Sequence, residues 1–553
     1  MYIQNQIRDF LTSTTSKVLI ITGSAGTGKT SLIKEIVTYL NNQQLEYYLL
    51  APTGRAAHNL QSHVFEETEI PPTTIHSFLY KKDDESAQEV PEILKFSVIE
   101  EKVEDNAVII IDEASMLSHE ATSEKDFLQF GSGNLFKDLT DYLDLSNSNR
   151  KLILVGDPCQ LPPINVSQAE VLNIDYLKQY FETNNIEHIH LNEVHRQLKD
   201  SAILKSATAL RDKLENKDFV QFPIDIDHDE IHHLNMDDAL EKYLWDYGNK
   251  SIFMSYTNKD VHNINLKFRE LLNLNPKRLE KKERLILMKN SWVNSQHLYN
   301  GDFLIIENLG GIECFKINVP QKQDNPITIA LEFQDIELRK EDSFASIKCK
   351  VLHHKIWNEE NETSTKELQA LVIHFKQRHP HLKRGTPEYK QAIQNDPYIN
   401  ALYLRFGYAM TCHKAQGGEW DNVYINLARP QKDLKTLNGF KWTYTALTRS
   451  KKYAYLINTP LNKENFNPEF PFSNLIQEIE TKIQKENFEL YAHELVHFGV
   501  KLKIQKDNIT TIYIIYRNGK MKLTRLVPEV KSVHSEQLEQ ILQPFINTSL
   551  VEK

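Results

Sequence analysis

The sequence predicts an α/β protein built on parallel sheets with flanking helices. Three observations carry this. Residues 17–22, 107–111 and 151–155 are short runs of β-branched and aliphatic side chains, as strands buried on both faces show. Each run ends in a glycine-rich or acidic loop. The first is followed by residues 31–40, whose apolar side chains recur at helical spacing. In open parallel sheets ligands sit outside the carboxyl ends of the strands, so these three loops are the candidate site.

The first loop reads Gly23-Ser24-Ala25-Gly26-Thr27-Gly28-Lys29-Thr30, the GxxxxGK[ST] phosphate loop between strand and helix. Its glycines let backbone N–H groups close on phosphate oxygens, and the helix N-terminus adds a favourable dipole. Lys29 is placed to reach the β- and γ-phosphates of ATP, and Thr30 to ligate Mg²⁺. The second loop starts with Asp112-Glu113-Ala114-Ser115. Asp112 is expected to hold Mg²⁺ and Glu113 to orient or deprotonate the attacking water. The third loop is Gly156-Asp157-Pro158-Cys159-Gln160-Leu161-Pro162-Pro163. On that edge Gln160 can sense the γ-phosphate and couple hydrolysis to movement.

Composition narrows the class. The chain has 553 residues, 40% hydrophobic and 25% charged, which excludes a disordered or collagen-like chain and predicts several domains. No apolar run approaches a membrane span and no signal peptide is visible, so no membrane partner is expected. Four cysteines without CxxC spacing suggest neither a disulfide framework nor a cysteine-rich zinc site, and fit a cytoplasmic setting. The net charge of −10 alone argues against nucleic acid, but residues 401–460 carry nine basic side chains against three acidic ones. Local potential decides binding in a groove, because charge beyond a Debye length of about 8–10 Å is screened.

The Asp-Glu-Ala-Ser and Gly-Asp-Pro-Cys-Gln-Leu-Pro-Pro segments resemble motifs II and III of superfamily 1 helicases, in the RecD/Dda-like branch, superfamily 1B. Gln6, 23 residues before Lys29, resembles the adenine-reading Q motif. Residues 51–57, with Pro52, Thr53 and Arg55, resemble motif Ia, which grips the nucleic-acid backbone. Residues 74–78, with His76 and Phe78, resemble the strand-contacting motif that follows it. Residues 191–197 resemble motif IV, with Arg196 reaching the γ-phosphate from a second motor domain. Residues 408–420 resemble motif V, with Thr411, His413 and Lys414 toward nucleic acid and Glu419 toward the nucleotide. Residues 444–452 resemble motif VI, with Arg449 as the arginine finger. Both arginines lie far from the phosphate loop in sequence, so they reach ATP only if a second domain closes on the first.

The resemblance implies two RecA-like P-loop motor domains, an inserted SH3-like β-barrel and a small C-terminal α+β module. The first motor is expected at residues 1–185, interrupted at 80–106 by an acidic pin-like insert, and the second at 186–300 and 396–460. The barrel is expected at 301–395 and the accessory module at 461–553. It implies a monomeric ATP-dependent DNA helicase that moves 5′→3′ on single-stranded DNA, acts at forks and works with other repair or replication proteins. Two alternatives stay open: an RNA helicase or ribonucleoprotein remodeller, and a DNA-stimulated ATPase that displaces proteins without unwinding. His493-Glu494-Leu495-Val496-His497 matches HExxH, which on a helix would place two imidazoles on one face. The metzincin extension is missing, since residue 500 is Val and residue 503 is Lys, so the match is read as fortuitous.

Overall fold

A computed structural model describes residues 2–64, 68, 70–82, 94–120, 128–163, 166, 168–191, 201–220, 222–224, 230–248, 250–293, 296–321, 325–341, 343–359, 364–383, 386–459, 473–496, 499–517 and 523–546. The three apolar runs form adjacent members of one parallel sheet. Its strand order is Thr73–Thr74, Tyr47–Ala51, Val108–Ile111, Lys151–Gly156, Val18–Gly23, Ile186–Leu191. Alternate side chains feed two cores. Val18 and Ile20, Ile109 and Ile111, and Leu152 and Leu154 face Phe136, Leu139 and Leu143 of helix Leu135–Leu143. Leu19 and Ile21, Val108 and Ile110, and Ile153 and Val155 face Ile33, Ile36 and Leu40 of helix Lys29–Asn42. Burial on both faces is why these strands read as unbroken apolar runs.

The last strand corrects the boundary at residue 185. Ile186–Leu191 pairs in parallel with Val18–Gly23, so the first sheet reaches Leu191. As an edge strand carrying Glu187, His188 and His190 between its apolar residues, it lacks the continuous apolar signature.

A second parallel sheet has the order Ile231–Leu234, Ser450–Ile457, Trp420–Asn426, Ser251–Ser255, Ala409–Thr411. Next to it lies an antiparallel sheet, Ser346–Leu352, Ile327–Lys340, Phe303–Val319, Arg284–Leu287, Leu404–Phe406. A single parallel bridge, Val351 with Leu402, brings its two ends together. The limits 301–395 are therefore too narrow: strands from 284–287 and 404–406 complete this sheet. Leu285, Leu287, Leu404 and Phe406 share one core with Phe253 and Tyr424 of the second parallel sheet, so the two are fused rather than strung together. Register shifts around Gly310 and Gly311 join two runs into the one long strand Phe303–Val319. A Cβ on Gly310 would lie 2.8 Å from the Asp335 Cβ, closer than the paired strands allow.

In the acidic insert, Tyr80–Lys82 pairs with Leu94–Val98, which pairs with Leu128–Phe130. The Phe96 and Phe130 rings stack at 4.5 Å. Residues 83–93 of the expected pin lie outside the described residues.

The C-terminal module is helix Ser473–Gln484, a four-stranded antiparallel meander (Glu489–Val496, Gly499–Lys506, Ile509–Arg517, Leu523–Val530) and helix Ser535–Leu542. Its own core includes Ile479, Ile483, Leu502, Tyr513, Leu538 and Phe545. His493 and Glu494 fall on strand Glu489–Val496, not on a helix. His497 lies outside the described residues. Among the described residues no group of three or more His, Cys, Asp or Glu could hold a metal ion.

Candidate functional site

The carboxyl edge of the first sheet carries the phosphate loop. Gly26 and Gly28 take φ of 81° and 82°, a left-handed conformation that side chains resist. Gly28 thereby turns the chain into helix Lys29–Asn42. Lys29 Nζ donates to the Gly23 and Ser24 carbonyls at 2.8 and 2.9 Å, and Thr27 Oγ1 donates to the Ser24 carbonyl at 2.8 Å. Thr30 follows in the first helical turn.

Val108–Ile111 delivers Asp112 and Glu113 to the same edge. The Glu113 N–H donates to Asp112 Oδ1 at 2.9 Å. Glu113 has φ of 51°, unusual for a side chain of its size and characteristic of functional sites. Burial, and then the Glu113 carboxylate, raise the Asp112 pKa, with Lys29 opposing. Glu113 Oε2 is buried without a hydrogen-bond partner among the described residues, as are Ser115 Oγ and Gln160 Oε1. Two adjacent carboxylates, one with an orphaned oxygen, are hard oxygen donors of the kind that suits Mg²⁺.

The second sheet supplies the other wall. Helix Leu437–Leu447 sends Tyr444 into the first domain, where its hydroxyl donates to Asp157 Oδ2 at 2.6 Å and accepts from the Ala25 N–H at 3.4 Å. Asp157 Oδ1 accepts the Cys159 N–H at 3.0 Å, so this carboxylate is bonded on both oxygens. The next contact is two-sided. The Leu161 N–H donates to Thr445 Oγ1 at 2.9 Å, and Gln416 Nε2 donates to the Leu161 carbonyl at 2.7 Å. Arg449, only 4% exposed, places Nη1 3.9 Å from Glu113 Oε1 and 3.4 Å from the Gly418 carbonyl. The structure thus brings Lys29, Thr30, Asp112, Glu113, Gln160 and Arg449 to one cleft. A cavity runs from Ser24 and Ala25 to Tyr444 and Lys451, with Leu204 and Thr208 of helix Ala202–Glu215 on its far wall.

Other sequence-predicted residues are placed differently. Arg196 lies outside the described residues. Gln6 is half-buried on helix Tyr2–Thr12, and no described hydrogen bond ties it to the phosphate loop. Glu419 pairs with Lys451 at 3.1 Å on the rim of the cleft. Pro52 and Thr53 start helix Gly54–Val64, and Thr53 Oγ1 accepts the Ala56 N–H at 3.2 Å. Arg55 crosses between domains: it donates to the Gly301 carbonyl and lies over the Phe303 and Trp420 rings at 4.7 and 5.2 Å. Burial, then Arg284, lower its pKa to about 10. Phe78 is corrected from a strand contact to a core residue. It is 9% exposed and packs at 5.1 Å on Tyr48 and 5.7 Å on Tyr142, because it lies on the inward face of the short helix Ile75–Leu79. His76 stays half-buried against Phe130 and Tyr80. Thr411, His413 and Lys414 lie together where Ala409–Thr411 meets helix Cys412–Ala415.

Sequence reading missed Tyr444, Asp157, Thr445 and Gln416. All lie inside quoted motifs, but their pairing across domains leaves no local spacing to detect.

Residues 6–165 match the model of the AAA domain family, and residues 406–457 match that of the UvrD-like helicase C-terminal domain. The two matches fall on the two walls of the cleft. The RecBCD enzyme subunit RecD of Buchnera aphidicola is 23% identical, covering 80% of this chain and 71% of its own. The ATP-dependent DNA helicase Pif1 of Campylobacter jejuni is 23% identical, covering 89% of this chain and 97% of its own. These matches and relatives support a superfamily 1B helicase. An uncharacterised protein of Acanthamoeba polyphaga mimivirus is 22% identical over 82% of this chain and 98% of its own. The crystal structure of a Bacteroides Pif1 helicase with ADP-AlF3 and single-stranded DNA superposes with a TM-score of 0.41 at 15% identity, covering 87% of this chain and 97% of that one. Among the described residues no helix is long and apolar enough to cross a membrane.

Proposed function

We propose that this chain is a superfamily 1B motor driven by ATP that walks 5′→3′ on single-stranded DNA as a monomer and separates the duplex ahead of it at forks. The observation that carries the reading is the apposition of Arg449 and Glu113, 3.9 Å apart, across a cleft whose walls come from two parallel sheets. Lys29 would hold the β- and γ-phosphates of ATP. Thr30 and Asp112 would hold Mg²⁺, which when bound neutralises phosphate charge. Glu113 would orient the attacking water, and Gln160 would report the γ-phosphate. Arg449 would meet charge developing on the γ-phosphate, a contribution of about 10³–10⁵ in rate for such arginines. Arg196 has the same assigned role from the residues that resemble motif IV. ATP then holds the domains together and hydrolysis releases them, so a strand gripped by both is moved one step per cycle. The 5′→3′ sense rests on the resemblance to superfamily 1B, as do the action at forks and with repair or replication proteins. A cytoplasmic setting is supported by the four unpaired thiols.

A strand-displacement assay with 5′-tailed and 3′-tailed duplexes tests the reading. Unwinding from the 5′ tail alone, dependent on ATP, is expected. Unwinding from the 3′ tail alone would overturn the direction. The shortness of the insert at 80–106 favours a second reading, an ATPase that displaces proteins. It would be preferred if single strands stimulated hydrolysis while no forked duplex was opened.

A further inference from the structure

The C-terminal module has a sheet face that its own helices leave exposed. Helices Ser473–Gln484 and Ser535–Leu542 pack on the face that carries Leu502, Ile504, Tyr513 and Ile515. Successive side chains on a strand leave opposite faces, so the intervening residues form the second face. Cross-strand partners there are Lys503 with Ile512, Lys501 with Ile514, Ile514 with Val527, and Tyr516 with Arg525. Arg525 is exposed and the others are half-exposed. An antiparallel sheet packed on one side usually turns polar residues to water on the other. Here the centre of the solvent face is Ile512, Ile514 and Val527.

The surroundings say what would cover it. The Arg525 guanidinium lies 4.7 Å from the centroid of the Tyr516 ring. Lys501 holds Glu529 at 2.5 Å. Residues 499–525 carry seven basic side chains and one acidic one, in a chain whose net charge is −10. A single strand of nucleic acid matches this mixture. Its bases stack on aromatic rings and on guanidinium planes, and its phosphates meet the lysines. A duplex hides its bases and would leave the apolar centre in water. Along the pleat Lys503 stands four residues from Gly499, the partner of Tyr516, or about 13 Å at 3.3 Å per residue.

We propose that this face is a second binding site for single-stranded nucleic acid, with a base stacked on the Tyr516–Arg525 pair and a phosphate further along on Lys503. The preference for a strand over an acidic polypeptide rests on the reading of the chain as a nucleic-acid motor. A site in a module with its own core keeps hold of the strand while the ATP cleft opens, and so lengthens each run.

Titration of fluorescein-labelled dT40 against the full chain, from 50 to 200 mM KCl, tests this. Tyr516→Ala is expected to weaken binding about tenfold, as for one lost base stack. Lys503→Gln, an independent change outside the core, should flatten the slope of log affinity against log salt by about 0.7, one single-strand phosphate. A dT40 carrying 5-iododeoxyuridine should crosslink to Tyr516 on irradiation. The rate of ATP hydrolysis at saturating dT40 should stay at the wild-type level in both variants. Wild-type affinity and slope in both would overturn the site. Poly-L-glutamate binding to wild type but not to Lys503→Gln, with dT40 binding equal in the two, would overturn the strand in favour of an acidic polypeptide. Crosslinking at Tyr516 with weakened binding in Tyr516→Ala, but no stimulation of hydrolysis by dT40, would uphold this site and overturn the motor reading alone.

Discussion

The two parallel sheets of this molecule share an architecture but bring opposite chemistry to the cleft, the first from its carboxyl edge and the second from the amino edge of strands Trp420–Asn426 and Ser450–Ile457. The first edge offers backbone N–H groups from residues 24–28 and the carboxylates of Asp112, Glu113 and Asp157. The second offers a cation and hydroxyls: Arg449, Tyr444 and Thr445. Neither edge is complete alone. Asp157 finds its proton donor in Tyr444, and Glu113 meets Arg449, only when the two sheets face each other. The division teaches where coupling resides. Chemistry that is split between rigid sheets requires their closure, so binding and hydrolysis at the cleft must change the distance between them.

The largest effect should come from removing the cation that the second sheet supplies. Arg449→Ala is expected to lower kcat for ATP by about 10³-fold or more, by analogy with other arginines that stabilise a transferring phosphoryl group. ATP affinity, read by a fluorescent analogue, should change only severalfold, because the phosphate loop belongs to the other sheet. Equal losses in affinity and kcat would blur the division of roles.

Phe78 probes the first sheet as a packed body rather than as a binding face. Phe78→Ala should cost about 3–5 kcal/mol of stability, as for other buried aromatic truncations. Single-strand affinity of the folded fraction should stay near wild type. A stable variant that lost affinity would return Phe78 to the strand face.

The smallest effect is expected in the C-terminal module, none of whose described residues lines the cleft. His493→Ala, on a strand, should change stability by less than about 0.5 kcal/mol. The purified protein should contain no stoichiometric zinc by elemental analysis. Bound zinc lost in the variant would reinstate a metal site there.

These contrasts also explain what could be read from sequence. The phosphate loop, Asp112 and Glu113 were legible because a strand, a tight turn and a helix follow one another within a few residues, and glycine positions record the turn. Arg449 was legible through the motif that carries it. Ile186–Leu191 was not, because an edge strand alternates polar and apolar residues and resembles a surface segment. The first strand of the terminal meander was masked by the HExxH match, which specifies three residue types and no backbone period. Phe78 was set toward nucleic acid through the motif that carries it, because a five-residue helix is too short to reveal its buried face. The Tyr444–Asp157 bond joins residues 287 positions apart, and such a contact has no counterpart in local spacing.

The central claim is that the cleft is one site assembled from two sheets. A double-mutant cycle of Tyr444→Phe and Asp157→Asn, read as DNA-stimulated kcat, tests it most directly. Each single change strands a buried partner, which costs about 1–3 kcal/mol. The account predicts that the double variant loses no more than the worse single variant, a coupling of about 1 kcal/mol or more between the domains. Losses that simply add would contradict it.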